Sequence, residues 1–133
     1  MRLVADANVL LAALLGGQAK TVLQHPKIDE VLTTEVTFAE VQEYAVVLAK
    51  KKRLSLDSLL LAVAALPVTI VEQGIYASSL PQAQKLIAKR DPDDVDLLAL
   101  ALQTGLPLWS NDNDFEDTGI EWYTTAELLR ILS

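Results

Sequence analysis

Carboxylates are the residues of this chain that could do chemistry, and they stand at particular places. Asp6 directly continues the apolar run Leu3-Val4-Ala5. Glu40 falls early in a long amphipathic stretch, and Asp93, Asp94 and Asp96 open a strongly apolar segment. Asp112 and Asp114 follow the run 106–110, which ends on Ser110. Carboxylates offer hard oxygen ligands, which suit Mg2+ or Mn2+. Crowded carboxylates repel one another, and a cation relieves that repulsion. A pair of such ions can activate water and stabilise the leaving oxygen of a phosphodiester. Other chemistry is thinly represented. There is no cysteine and one histidine, His25, which excludes thiolate sites and multi-histidine cages and leaves little room for a Ser-His-Asp triad. No Gly-rich phosphate loop is present.

Each acid also has a purely structural reading. Glu40 stands three residues after Thr37, the spacing of a capping box. Asp93 and Asp94 suit the first turn of a helix, where negative charge favours the macrodipole. Asp112 and Asp114 are ordinary turn residues. Asp6 is hardest to explain this way, because it follows an apolar strand without a break.

The elements that must position these acids alternate along the chain. Residues 3–5 and 30–33 read as strands, 68–72 as a third, 106–110 as a fourth and 120–123 as a fifth. Between them fall helices over 8–15, 19–24, about 34 or 37 to 53, and 56–66. Val41, Tyr44, Ala45 and Leu48 mark the apolar stripe of the long helix. Further helices are expected from Ser79 to about Arg90 and, with Asp91 as N-cap and Pro92 at the first position, to Gln103 before Gly105. Thr124 and Glu127 form a capping box for the last helix. Strands alternating with helices imply an α/β domain with a parallel sheet, and ligands in such sheets bind at the carboxyl ends of the strands.

Composition sets outer limits. The chain has 133 residues, 51% of them apolar, enough for one cored domain spanning residues 1–133. Eighteen acids against eleven Lys and Arg leave a net charge of −7, so a grip on polyanions by overall charge is not expected. The basic run Lys50-Lys51-Lys52-Arg53 reads either as a helix C-terminus or as a phosphate contact, a role Lys85, Lys89 and Arg90 could equally serve. The apolar start resembles a secretion signal, but Asp6 and Asn8 interrupt it, and no stretch is long enough to span a membrane. The protein reads as soluble and cytoplasmic.

With these residues in view, the chain resembles the PIN-domain family of metal-dependent ribonucleases, which includes the VapC-type toxins. The resemblance is carried by the segments 4–10 and 37–41, by Asp94-Val95-Asp96-Leu97-Leu98-Ala99, and by Ser110-Asn111-Asp112-Asn113-Asp114-Phe115. It implies a three-layer α/β/α fold with a five-stranded parallel sheet of order 3-2-1-4-5. It further implies that Asp6, Glu40, Asp94 and Asp112 are the catalytic and metal-holding acids, with Asp114 as a variable extra ligand. Asn8 matches the polar position two after the first acid. Ser110 stands where the family usually has Thr and keeps the hydroxyl. Asp93, Asp96, Asn8 and Ser110 are secondary candidates. Two residues apart on a regular helix, Asp94 and Asp96 point about 200° from each other, and the family spacing selects Asp94. The implied function is Mg2+- or Mn2+-dependent hydrolysis of RNA, leaving 5′-phosphate and 3′-hydroxyl ends. A homodimer and an inhibitory antitoxin protein are the implied partners. The alternative is a catalytically silent PIN-fold module that binds RNA or protein. Rival phosphotransfer folds match less well. A haloacid-dehalogenase-like site needs Asp where Asn8 stands, and strand three runs into Glu72-Gln73 rather than a receiver's phosphoacceptor Asp.

Overall fold

In chain order, β1 (Arg2–Ala5) leads into α1 (Ala7–Leu14) and α2 (Gln18–Leu23), and β2 (Glu30–Thr34) into α3 (Glu35–Lys51) and α4 (Leu56–Ala64). β3 (Thr69–Val71) is followed by α5 (Gln73–Tyr76), a 3-10 turn and α6 (Leu80–Ile87). A second 3-10 turn, Pro92–Asp94, opens α7 (Val95–Thr104); β4 (Leu108–Trp109), β5 (Trp122–Tyr123) and α8 (Thr125–Leu132) complete the order. These elements are those of a computed structural model that describes residues 1–87 and 91–133. The expected end of α6 near Arg90, with Lys89 and Arg90 themselves, lies outside the described residues.

All five strands run parallel in the order β3-β2-β1-β4-β5. Parallel strands need crossover helices, and these cover both faces of the sheet. The central strand shows the result residue by residue. Leu3 and Ala5 face a core built with α1, α2, α3, α4 and α8. Val4 faces the opposite core, built largely with α5, α6 and α7. Burial on both faces is why β1 reads as an unbroken apolar run. The fold is therefore the expected α/β/α arrangement with strand order 3-2-1-4-5.

Four details differ from expectation. β4 and β5 are two residues each, shorter than the apolar runs containing them. Pro107 has no N–H for a ladder, although its carbonyl accepts from Val4 N at 3.0 Å. α3 starts after Thr34, whose hydroxyl accepts from Thr37 N at 2.9 Å, so Thr37 is inside the helix and forms no capping box with Glu40. The buried stripe of α3 is Thr37, Val41, Ala45 and Ala49; Tyr44, expected in the core, is 55% exposed. Finally, the segment opened by Asp91 begins as a 3-10 turn and becomes α-helical only at Val95.

The basic run closes α3, where Arg53 adopts a left-handed φ of 54°. Trp109 is fully buried, with its ring N–H donating to Thr125 Oγ1 at 3.0 Å. Trp122 is half-buried and donates to the Ser110 carbonyl. No described helix is long and apolar enough to cross a membrane.

Candidate functional site

Asp6 is the pivot of the site. β1 ends at Ala5 and α1 begins at Ala7, so Asp6 is at once the residue after the central strand and the N-cap of a helix. Its Oδ1 accepts from Ala7 N at 2.7 Å. Because Ala5 pairs with Trp109, the next residue on each strand meets its neighbour, and Asp6 lies beside Ser110. The Ser110 hydroxyl donates to Asp6 Oδ2 at 2.8 Å and accepts from Asp112 N at 3.0 Å. Asn8 Nδ2 approaches both Asp6 Oδ2, at 3.4 Å, and Ser110 Oγ, at 3.2 Å. Asn8 Oδ1 accepts from Asn111 N at 3.3 Å, which ties α1 to the loop after β4. Both secondary candidates, Asn8 and Ser110, therefore orient the central carboxylate.

Two other elements bring further acids. α3 carries Glu40 to the same open cleft, about 270 Å3 in volume, whose walls include Asp6, Asn8, Asp91, Asp94 and Asp112. In the 3-10 turn before α7, Asp91 accepts from Asp93 N at 3.0 Å, and Asp94 N donates back to the Asp91 carbonyl at 3.1 Å. Carboxylate oxygens of Asp91, Asp94 and Asp114 all lie within 4.8 Å of one another. Asp112 caps the short turn 113–115 by accepting from Asp114 N at 3.1 Å, which places Asp114 next to it. Asp6, Glu40, Asp94, Asp112 and Asp114 are thus drawn together in space. Asp93 is exposed beside the cleft and acts on Glu40 through its charge. Asp96 turns away, accepting from Tyr76 Oη at 2.6 Å and Gln73 Nε2 at 3.1 Å.

Among the described residues no basic side chain compensates these charges. Burial raises the Asp94 carboxyl to about 8, helped by the charges of Asp6, Asp91 and Asp114 and by a hydrogen bond with Asp114. Glu40 is pushed up to about 7, first by burial and then by Asp93 and Asp6. Asp6 is raised chiefly by burial, against the lowering effect of its bond from Ser110. Asp114 is raised by burial and by Asp112. The described ion pairs are at the other end of the sheet, where Arg2 meets Glu30 at 2.7 Å and the Met1 amino group meets Asp29. No Lys or Arg lines the cleft among the described residues. An all-oxygen donor set with excess negative charge fits a hard divalent cation and fits a soft metal poorly.

Sequence reasoning gave Asp91 only a capping role, whereas its carboxylate also enters the acidic cluster. The signal was the spacing of Asp91 and Asp94, three apart, which places both on one side of a 3-10 turn.

Comparison with known proteins gives one consistent result. No curated protein matches this chain in sequence. Among solved structures it is similar to VapBC2 of Rickettsia felis, a complex bound to a promoter DNA fragment, at 13% identity and a TM-score of 0.71, over 93% of this chain and 98% of that one. A toxin–antitoxin complex from Klebsiella pneumoniae matches at 23% identity and a TM-score of 0.66, over 92% and 96% of the two chains. VapC20 of Mycobacterium tuberculosis, a toxin that cleaves the sarcin-ricin loop, matches at 18% identity and a TM-score of 0.63, over 89% and 95%. At these identities the likeness shows a shared fold. The PIN domain sequence profile matches residues 4–133, nearly the whole chain, and the acids that the fold gathers are those the profile spans. The chain belongs to the PIN domain family.

Proposed function

We propose that this chain is a Mg2+- or Mn2+-dependent endoribonuclease and the toxin of a toxin–antitoxin pair. The observation that carries the reading is the convergence of Asp6, Glu40, Asp94, Asp112 and Asp114, joined by Asp91, on one cleft without a compensating basic side chain among its described walls. Asp6, Glu40, Asp94 and Asp112 hold the metal directly or through water, with Asp114 as a further ligand. A divalent cation bound there supplies an activated water and offsets charge building on a phosphodiester oxygen. The chain's own contribution is positioning and proton release. Ser110, Asn8 and Ala7 N fix both oxygens of Asp6 before any ligand arrives. The Glu40 and Asp94 carboxyls, raised to about 7 and about 8, would give up the protons they carry when positive charge enters the cleft. Hydrolysis then leaves 5′-phosphate and 3′-hydroxyl ends.

Residues 1–133 act in this reading as one domain of a soluble cytoplasmic protein. Two surfaces support protein partners. Leu60 and Leu61 of α4 are exposed, which suits a homodimer contact. A separate groove of about 220 Å3, lined mainly by apolar residues such as Leu14, Leu23, Ala62 and Leu66 together with Lys20 and Gln24, suits an antitoxin segment. The Klebsiella pneumoniae neighbour is itself a toxin–antitoxin complex.

The test is cleavage of RNA by the purified protein with Mn2+ or Mg2+, compared with the same reaction in excess EDTA. Cutting that stops on chelation is expected. Undiminished cutting in EDTA would refute the metal requirement. Absence of cutting with any metal would favour the silent module that binds RNA or protein.

A further inference from the structure

Tyr44 is out of place for a core residue. It lies one turn beyond Glu40 on α3, so the two side chains rise on the same face of the helix. The core takes Val41 and Ala45, fully buried on either side, and leaves Tyr44 55% exposed. Tyr44 nevertheless stands at a particular place on that surface. It lines the acidic cleft together with Leu11 of α1, and the remaining neutral walls are Ala7 and Asn8. Tyr44 is the single aromatic among the described residues of that cleft.

The electrostatics say what such a ring could do. The described lining of this cleft has five acids and no Lys or Arg, so among the described residues it offers a polyanion no ion pair. On the described lining, a bound cation and uncharged surface are what a nucleic acid can use. An exposed aromatic ring is the surface that a nucleobase stacks on, whatever its identity. A base inside a duplex has both faces covered, so a ring recruits only an unstacked base.

We infer that Tyr44 is a stacking platform for one unpaired nucleobase beside the scissile phosphate. This rests on the ribonuclease reading above and adds a substrate-binding residue outside the acidic set. Stacking on the ring acts on substrate binding and leaves the metal-holding groups untouched. Its loss therefore appears in KM rather than kcat.

The experiment measures steady-state cleavage of a fluorescein-labelled pool of random 20-nucleotide single-stranded RNA, with Mn2+, by wild type, Tyr44→Ala and Tyr44→Phe. Tyr44→Ala should raise KM about 5- to 150-fold, the range for loss of one base–aromatic stack, with kcat retained. Tyr44→Phe, which keeps the ring, should restore the wild-type KM. The Mn2+-induced rise in melting temperature should be equal in all three proteins, because the carboxylates are intact. The wild type should cut the same pool poorly once it is annealed to its complement. Equal KM for wild type and Tyr44→Ala, or a loss confined to kcat, would overturn the platform while leaving the ribonuclease reading standing. A lower solution mass for Tyr44→Ala in light scattering would assign the ring to a subunit interface and likewise overturn it. Failure of the wild type to cut any RNA would overturn both.

Discussion

Replacing Asp94 with Asn changes one atom and removes one charge, and the sign of its effect depends on pH. Asp94 has carboxylate oxygens of Asp91 and Asp114 within 4.8 Å. At that separation one pair of full charges repels by about 0.9 kcal/mol in bulk water and about 3.5 kcal/mol at an effective dielectric of about 20. The cleft is open, so a value toward the lower end applies, on the order of 1 kcal/mol per pair. Two partners then give on the order of 2 kcal/mol at a pH where all three are ionised. The folded Asp94 carboxyl titrates at about 8, while an unfolded Asp titrates near about 3.9. The native state therefore binds more protons between those values, and metal-free stability falls as pH rises through that window. Below it Asp94 is protonated and nearly isosteric with Asn. Metal-free melting curves of wild type and Asp94→Asn should thus converge as pH falls through about 4 and coincide only below it. At pH 9 the variant should melt higher by about 6–10 °C for a domain of this size. Adding Mn2+ should reverse the order, because the wild type gains by ligand linkage, about 2.7 kcal/mol at a hundredfold excess over Kd, and the variant gains less. A variant that melts below the wild type at pH 9 in EDTA, or that gains as much from Mn2+, would refute the placement of Asp94 in a repulsive metal site.

Two further outcomes are specific. Asp94→Asn should abolish RNA cleavage, whereas Asp96→Asn should retain much of it, because Asp96 is held by Tyr76 and Gln73 away from the cleft; gel-based cleavage rates showing the reverse order would mean that α7 is misregistered. Arg53→Gly should stabilise the protein by about 0.5–1 kcal/mol, since glycine adopts the left-handed φ of 54° without a Cβ clash, and urea denaturation should show a higher midpoint with an unchanged slope.

Much of the site was legible in the sequence because the relevant signals are local. An apolar run that ends on Asp6 marks a buried strand with a charge at its end, and both facts survive folding. The capping box of Thr124 and Glu127 is present with both of its hydrogen bonds. Periodicity misled at Tyr44, where a position at helical spacing from Val41 falls at the margin of the buried stripe, and only the packing of α1 against α3 decides which side is covered. It also missed the second role of Asp91, because a capping aspartate and a cleft aspartate look alike until the turn geometry is known.

The sequence alone determined the alternation of strands and helices, the parallel sheet that this alternation requires, and the excess of acids at positions where strands end. These follow from short-range preferences and from burial on both faces of a crossover-linked sheet. The convergence of those acids was decided only by tertiary structure. Asp6 and Ser110 are brought side by side by the pairing of β1 with β4, across most of the chain's length. Asp94 reaches the same cleft, and Asp96 leaves it, because the segment starts as a 3-10 turn, where Asp91 accepts from Asp93 N, and then becomes α-helical, where Asp96 accepts from Tyr76 Oη. The raised carboxyls of Glu40 and Asp94 belong to that convergence as well, since burial and neighbouring charge act through space and not along the chain.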